Sequence, residues 1–206
     1  MSYEKTLLKI YNELLKKHGY QGWWPIKGKY HLKNYEYPKN EEEKAEIFIG
    51  AILTQNTSWK NVEKVIVNLK NKNLLNPKAI LKIKRIQLAK IIRSSGYFNQ
   101  KAKKLKEFCK FHLKNKIPTR EQLLSIWGIG KETADSILLY VYKQPVFVID
   151  SYTKRLMNKL LKINFKTYNE WQNFFHKNLP KDYKLFNEFH ALIVAESKNM
   201  KQFLTN

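Results

Sequence analysis

"LLSIWGIGKETADSILLYVYKQPVFVID", Leu123 to Asp150, is the stretch on which the fold turns. Apolar residues recur at helical spacing on both sides of Gly128 and Gly130, so two helices are expected with the glycines between them. Leu123–Trp127 should end the first, and Lys131–Tyr142 should form the second, with Ala134, Ile137, Leu138 and Val141 on its apolar face. So short a connection as "WGIGK" needs positive φ or close backbone approach, which glycine permits. Its amides and the N-terminus of the following helix would then face outward together, an arrangement suited to phosphate; the same turn also reads as an ordinary helix-to-helix connection. Beyond it, the apolar run Pro145-Val-Phe-Val-Ile149 ends in a single carboxylate, Asp150. On its own Asp150 reads as the N-cap of a helix starting at Ser151, and an acid placed there stays ionised at neutral pH.

Helical periodicity dominates on either side of this stretch. Leu7, Ile10, Tyr11 and Leu14 stripe a first segment that closes near Gly19. Ile47, Phe48, Ile49, Ala51, Ile52 and Leu53 are apolar nearly all round, which predicts a central buried helix. Val62, Val65, Ile66 and Leu69 form the next stripe, then Ala102, Leu105, Cys109 and His112. The tail offers Trp171, Phe174 and Phe175, followed by Phe186, Phe189, His190 and Ile193. Only "PVFVI" looks extended, and one such piece makes no sheet. An all-α fold is predicted.

A chain of 206 residues fits one compact domain or two small lobes sharing a cleft. Lys and Arg number 39 against 17 acids, a net charge of +22. A field of that size favours polyanions, with nucleic acid the usual partner; a lysine-rich, solvated surface accounts for part of the excess. The one cysteine, Cys109, excludes an internal disulfide framework and a four-cysteine metal site. The opening "MSYEKTLLKIYNELLKKHG" mixes charge into helical spacing and reads as no signal peptide. No run approaches the ~18 apolar residues of a membrane span, and a cytoplasmic protein without membrane contact is expected.

The Leu123–Asp150 stretch resembles the helix-hairpin-helix of the endonuclease III superfamily of DNA glycosylases, in which the hairpin grips backbone phosphate. There a catalytic aspartate follows the hairpin after a short apolar extended segment, and Asp150 occupies that place. "GAILTQNTSW" (Gly50–Trp59) and "SGYFNQKAKKL" (Ser95–Leu105) resemble two further stretches of the superfamily in the same order. By that resemblance Gln55 fills the gap left by an extruded base and Tyr97 is a wedge on the opposite strand; without it they read as a helix-capping Gln55 and a core Tyr97. The resemblance covers roughly residues 20 to 195. It implies two helical lobes flanking a DNA-binding cleft: residues 36–144 as a six-helix lobe with the hairpin motif at about 119–142, and residues 1–35 plus 145–206 as a second lobe carrying Asp150.

Two departures refine the expectation. Bifunctional members carry a nucleophilic lysine two positions after the second hairpin glycine, where this chain has Glu132. A carboxylate cannot serve as the amine nucleophile, and the adjacent Lys131 is turned by about 100° around the helix. Many relatives also carry a four-cysteine iron–sulfur loop, absent from "FHALIVAESKNMKQFLTN". No cluster or other cofactor is expected, although a monovalent cation at the Gly128-Ile129-Gly130-Lys131 hairpin is conceivable; that loop's DNA contacts would come from lysines such as Lys198 and Lys201, or be missing. Both departures are shared by the branch called 3-methyladenine DNA glycosylase III, which this chain also resembles in "WWP" (Trp23, Trp24, Pro25), "GAILTQNT" and "GIGKE". The paired tryptophans are expected to sandwich a flat base, a cationic methylated purine gaining a cation–π term; otherwise they staple the first helix to the core. The branch's base-stacking phenylalanine falls at Ala45, and Phe48 lies on another helical face. Relatives with similar motifs include uracil-excising enzymes, for which Asn56 would assist the leaving base. The resemblance thus implies a monomeric, monofunctional N-glycosylase on double-stranded DNA with a damaged base. A uracil or mismatched-thymine glycosylase and a non-catalytic DNA-binding protein are the alternatives.

Overall fold

The computed structural model describes residues 2–202, with side chains through residue 199. Among the described residues all regular structure is helical and there is no strand. The elements are α1 (Tyr3–His18), α2 (Glu41–Leu53), α3 (Trp59–Asn71), α4 (Pro77–Lys82), α5 (Arg85–Ile91), a 3-10 turn (Arg93–Ser95), α6 (Phe98–His112), α7 (Arg120–Leu124), α8 (Lys131–Tyr140), α9 (Ser151–Leu161), α10 (Tyr168–Asn178) and α11 (Tyr183–Gln202). They fall into two units. The hairpin unit comprises Ile26–Gly28 and Glu36–Tyr142; the terminal unit runs up to Pro25, resumes over Lys29–Tyr35 and again from Lys143.

The hairpin unit is built around α2, which Asn40 caps by accepting the Glu43 amide at 3.0 Å. Ile47, Phe48, Ile49, Ile52 and Leu53 are all at most 1% exposed, because α3, α6 and α8 cover the helix on different sides. The α6 stripe of Ala102, Leu105, Cys109 and His112 is buried as its spacing requires, and Phe108 on the same helix packs 4.7 Å from Phe48. Helix α7 starts at a reciprocal capping box, Thr119 with Gln122. It ends earlier than the sequence suggested, leaving residues 125–130 as the connection, and α8 begins at Lys131 as expected but stops at Tyr140. Ile126 and Ile129, both buried, pin that connection to the core. The two helices are welded by Arg120, whose Nε and Nη2 reach Asp135 Oδ1 and Oδ2 at 2.6 and 3.0 Å; Asp135 is fully buried.

The terminal unit packs α1 on α10 and α11, and α9 on α11. Gly19 closes α1 with φ +67, its amide reaching Leu15 O at 2.8 Å. At the centre Phe147 stacks on Phe175 with centroids 3.9 Å apart and meets Phe186 and Phe189 edge-on. The run Pro145–Ile149 is extended without a strand partner. Side chains satisfy its backbone instead: the Phe147 amide donates to His176 Nε2 at 3.0 Å, the Ile149 amide to Tyr168 Oη at 3.2 Å, and Gln172 Nε2 donates to Phe147 O at 2.9 Å. An apolar strap with its amides and carbonyl answered by side chains can lie buried in a helical unit without the cost of unpaired backbone groups.

Candidate active site

In the terminal unit the strap delivers Asp150 to the start of α9. As N-cap, its Oδ1 accepts the Thr153 amide at 2.7 Å. Its Oδ2 lies 3.5 Å from Nε2 of His190 on α11, and the two side chains are 13% and 12% exposed. Burial pushes the Asp150 carboxyl up, but the His190 ring and the Thr153 amide outweigh it, and the group titrates below its ordinary 3.8. A largely buried carboxylate therefore persists at neutral pH, with one oxygen bound into the helix cap and the other turned towards His190. Sequence spacing had placed His190 only in an apolar stripe. No local pattern pairs it with an acid so far back in the chain; the packing of α11 on α9 does.

Trp23 and Trp24, half-buried, and buried Pro25 belong to the same unit. The two indoles meet edge-to-face, centroids 5.4 Å apart at 88°. The expected sandwich is thus not formed: a flat base needs parallel rings on its two sides, and this pair leaves no such slot. Trp23 also meets Tyr30 edge-on at 5.6 Å, and Lys198 Nζ stands 5.8 Å from its centroid. The Lys201 side chain lies outside the described residues. The segment before the tryptophans is pinned by buried Glu188, which accepts the Gln21 amide at 2.6 Å and the Tyr35 hydroxyl at 2.8 Å; burial raises its pKa.

In the hairpin unit only one of the two glycines uses glycine's conformational freedom. Gly128 has φ +83, and a Cβ there would meet the Lys104 side chain at 2.6 Å. Gly130, at φ −90 and ψ 176, has ordinary extended backbone and acts as the N-cap of α8, contributing no side-chain hydrogen bond. Lys131 and Glu132 are exposed on the first turn, beside buried Ile129. Glu132, where the resemblance places the nucleophilic lysine of bifunctional members, is thus an exposed acid at a helix start, where the helix dipole favours one.

Gln55 caps no helix. Its Nε2 donates to Gly128 O at 3.2 Å and Thr133 Oγ1 at 2.9 Å, while Lys104 Nζ donates to its Oε1 at 2.5 Å. Tyr97 is not a core residue: it is 66% exposed, and it caps α6 in the left-handed region at φ +45, a conformation that strains a bulky side chain. Asn56 is exposed at φ +54. Ala45 and Phe48 are fully buried, and Phe48 is committed to Phe108 and His112. Sequence reasoning missed Lys104 and Thr133, which hold Gln55, and Lys101. Lys101 was legible in principle, since it continues the buried face of Leu105, Phe108 and His112 at helical spacing.

The family model described as HhH-GPD superfamily base excision DNA repair protein matches residues 49–181. A Methanocaldococcus jannaschii protein provisionally named a DNA repair glycosylase is 45% identical over 94% of this chain and 88% of its own length. Endonuclease III of Thermotoga maritima is 28% identical over 71% of each chain. Among solved structures, the H. pylori 3-methyladenine DNA glycosylase bound to 1,N6-ethenoadenine superposes with a TM-score of 0.75 at 33% identity, covering 96% of both chains. An endonuclease III–DNA complex shares the fold with a TM-score of 0.73 at 20% identity, covering 94% of this chain and 85% of that one.

Proposed function

Because this chain belongs to the HhH-GPD superfamily of base excision DNA repair proteins, we propose that it is a monofunctional DNA N-glycosylase. It extrudes an alkylated purine such as 3-methyladenine from duplex DNA and hydrolyses its N-glycosidic bond. The observation that carries this reading is Asp150, a carboxylate 13% exposed and kept ionised by His190 and the α9 N-terminus. As the C1′–N bond lengthens, positive charge develops on the sugar. A fixed negative charge stabilises that state without reorganisation and orients the attacking water. The leaving group, a cationic methylated purine, is already activated, so no strong general acid is required. Gly128–Lys131 holds backbone phosphate through the N-terminus of α8. Gln55 and Tyr97 fill the vacated stack and offset an unstacking cost of a few kcal/mol.

Glu132 supports hydrolysis by water over Schiff-base chemistry. The protein should leave abasic sites in duplexes bearing methylated adenine, with strands breaking only after hot alkali. Borohydride should trap no protein–DNA adduct. Spontaneous strand cleavage together with a trapped adduct would overturn the monofunctional assignment. Ala45, which offers no ring at the branch's stacking position, favours a second reading as a uracil or mismatched-thymine glycosylase; release from those duplexes alone would establish it.

The tryptophan geometry divides the labour between the two indoles. Trp23 is wedged between Trp24 and Tyr30, so Trp23→Ala should lower the melting temperature and depress excision of every substrate alike. Trp24→Ala should remove a stacking contact of ~1–3 kcal/mol, with methylated purine excision falling more than uracil excision because only the former adds a cation–π term. Affinity for undamaged DNA, set by lysines and phosphates, should change little. Equal losses on both substrates for Trp24→Ala would remove that residue from the base site.

A further inference from the structure

Lys101 is 1% exposed, in the first turns of α6. Among the described residues its ammonium meets no carboxylate. It donates to two carbonyls, Leu53 O at 2.8 Å and Ser95 O at 2.6 Å. Burying a charge without a counter-charge is costly, and a protein of net charge +22 has no general need of another cation inside. What answers the charge is the pair of carbonyls itself. Leu53 is the last residue of α2 and Ser95 the last of the 3-10 turn, so both carbonyls belong to helix C-termini, where orphan oxygens carry partial negative charge. Two residues beyond the first lies Gln55; two residues beyond the second lies Tyr97.

Both segments that leave this clamp are conformationally unfavourable. Asn56 and Tyr97, which carry a Cβ, have positive φ, at +54 and +45, and such conformations persist only when their surroundings over-determine them. On one side Lys101 fixes where each segment departs from its helix. On the other, Lys104, one turn further along α6, holds Gln55 by its Oε1. Burial, with Lys104 nearby, lowers the Lys101 pKa to about 8. The neutral amine still carries two N–H groups, one for each carbonyl, so the grip survives deprotonation.

We propose that Lys101 is a positioning residue that ties the Gln55 and Tyr97 loops into one rigid element, so that both side chains enter the duplex together when a base is extruded. This rests on the reading of Gln55 and Tyr97 as the inserted groups. A buried amine cannot reach a phosphate or the reacting sugar, so its contribution lies in opening the base stack and not in bond cleavage or general DNA affinity.

The test compares single-turnover excision of one alkylated adenine in two contexts: paired opposite thymine, and in an unpaired bubble of the same strands where no stack has to be opened. Lys101→Met, which keeps length and apolar packing but donates nothing, should lose about tenfold or more on the paired substrate. On the bubble it should stay within about threefold of wild type, with affinity for undamaged duplex unchanged. Lys101→Gln, with one amide group in the same shell, should fall between. Equal loss on both substrates, or no loss on either, would overturn the proposal. Failure of both variants to give the wild-type circular dichroism spectrum would also overturn it, leaving the lysine a purely structural residue. Gln55→Ala and Tyr97→Ala, measured alongside, separate the two levels of the argument. If they lack a pairing-dependent loss, the insertion reading itself fails; if they show one and the Lys101 variants do not, only the clamp fails.

Discussion

Asp150→Asn is expected to keep the fold and the DNA affinity of the protein while base release falls by about 10²-fold or more. The substitution is informative because of the N-cap. Asparagine is as good an N-cap as aspartate, and its side-chain oxygen can still accept the Thr153 amide that Asp150 accepts at 2.7 Å. The helix start therefore survives, and what disappears is the negative charge beside the developing sugar cation, or the acceptor for a proton of the attacking water. Asp150→Ala would confound the two by also removing the cap, at about 1 kcal/mol. The pH dependence follows from the sign of the shift. The folded-state pKa lies below 3.8, so the carboxylate is charged and its stabilisation complete above that value, and both are lost only as pH falls through the folded pKa. An acidic limb in wild-type excision at pH 5–6 would thus belong to another group. Near-normal turnover by Asp150→Asn would remove the residue from the chemistry.

The second large effect concerns stability. Arg120→Met should destabilise the protein by about 3 kcal/mol or more, because it strips the bidentate partner from a fully buried carboxylate. For a chain of this size that is a fall of roughly 6 °C or more in melting temperature. Helix α7 has only five residues, too few to persist without tertiary support. Its hold on α8 passes through Arg120, so phosphate binding by the hairpin should weaken in the same variant. Arg120→Met/Asp135→Leu should recover much of the loss, since an apolar pair does not leave a charge in the interior. Melting of the three proteins side by side decides it: a fall under about 1 kcal/mol for the single variant would mean that the pair does not hold the hairpin together.

The all-helical fold was legible because α2, α3, α6 and α8 owe their burial to local spacing. A stripe such as Ala102, Leu105, Cys109 and His112 must face a core wherever that core lies. Asp150 as a helix N-cap was legible for the same reason, since a cap is a relation between neighbours in sequence. The glycine hairpin was half legible. Gly128 needs its positive φ, whereas Gly130 does not, and the motif alone could not divide the two roles because both are written with the same residue.

What spacing could not supply were relations between side chains far apart in the chain. The tryptophan pair looked like a sandwich because adjacent aromatics in sequence carry no information about ring angle; packing against Tyr30 set them edge-to-face. His190 read as part of an apolar stripe until α11 packed on α9 and brought it to 3.5 Å from Asp150. The spacing of Lys101 puts it on the buried face of α6, but only the arrival of two helix ends at one point supplies the carbonyls that hold its ammonium there. Periodicity and capping act within a turn or two of helix, so sequence determined the helices, their buried faces and the capping acid at the head of α9. Ring orientation, the partner of that acid and the carbonyls that hold the lysine beneath the two loops depend on which helices meet, and tertiary packing alone decided them.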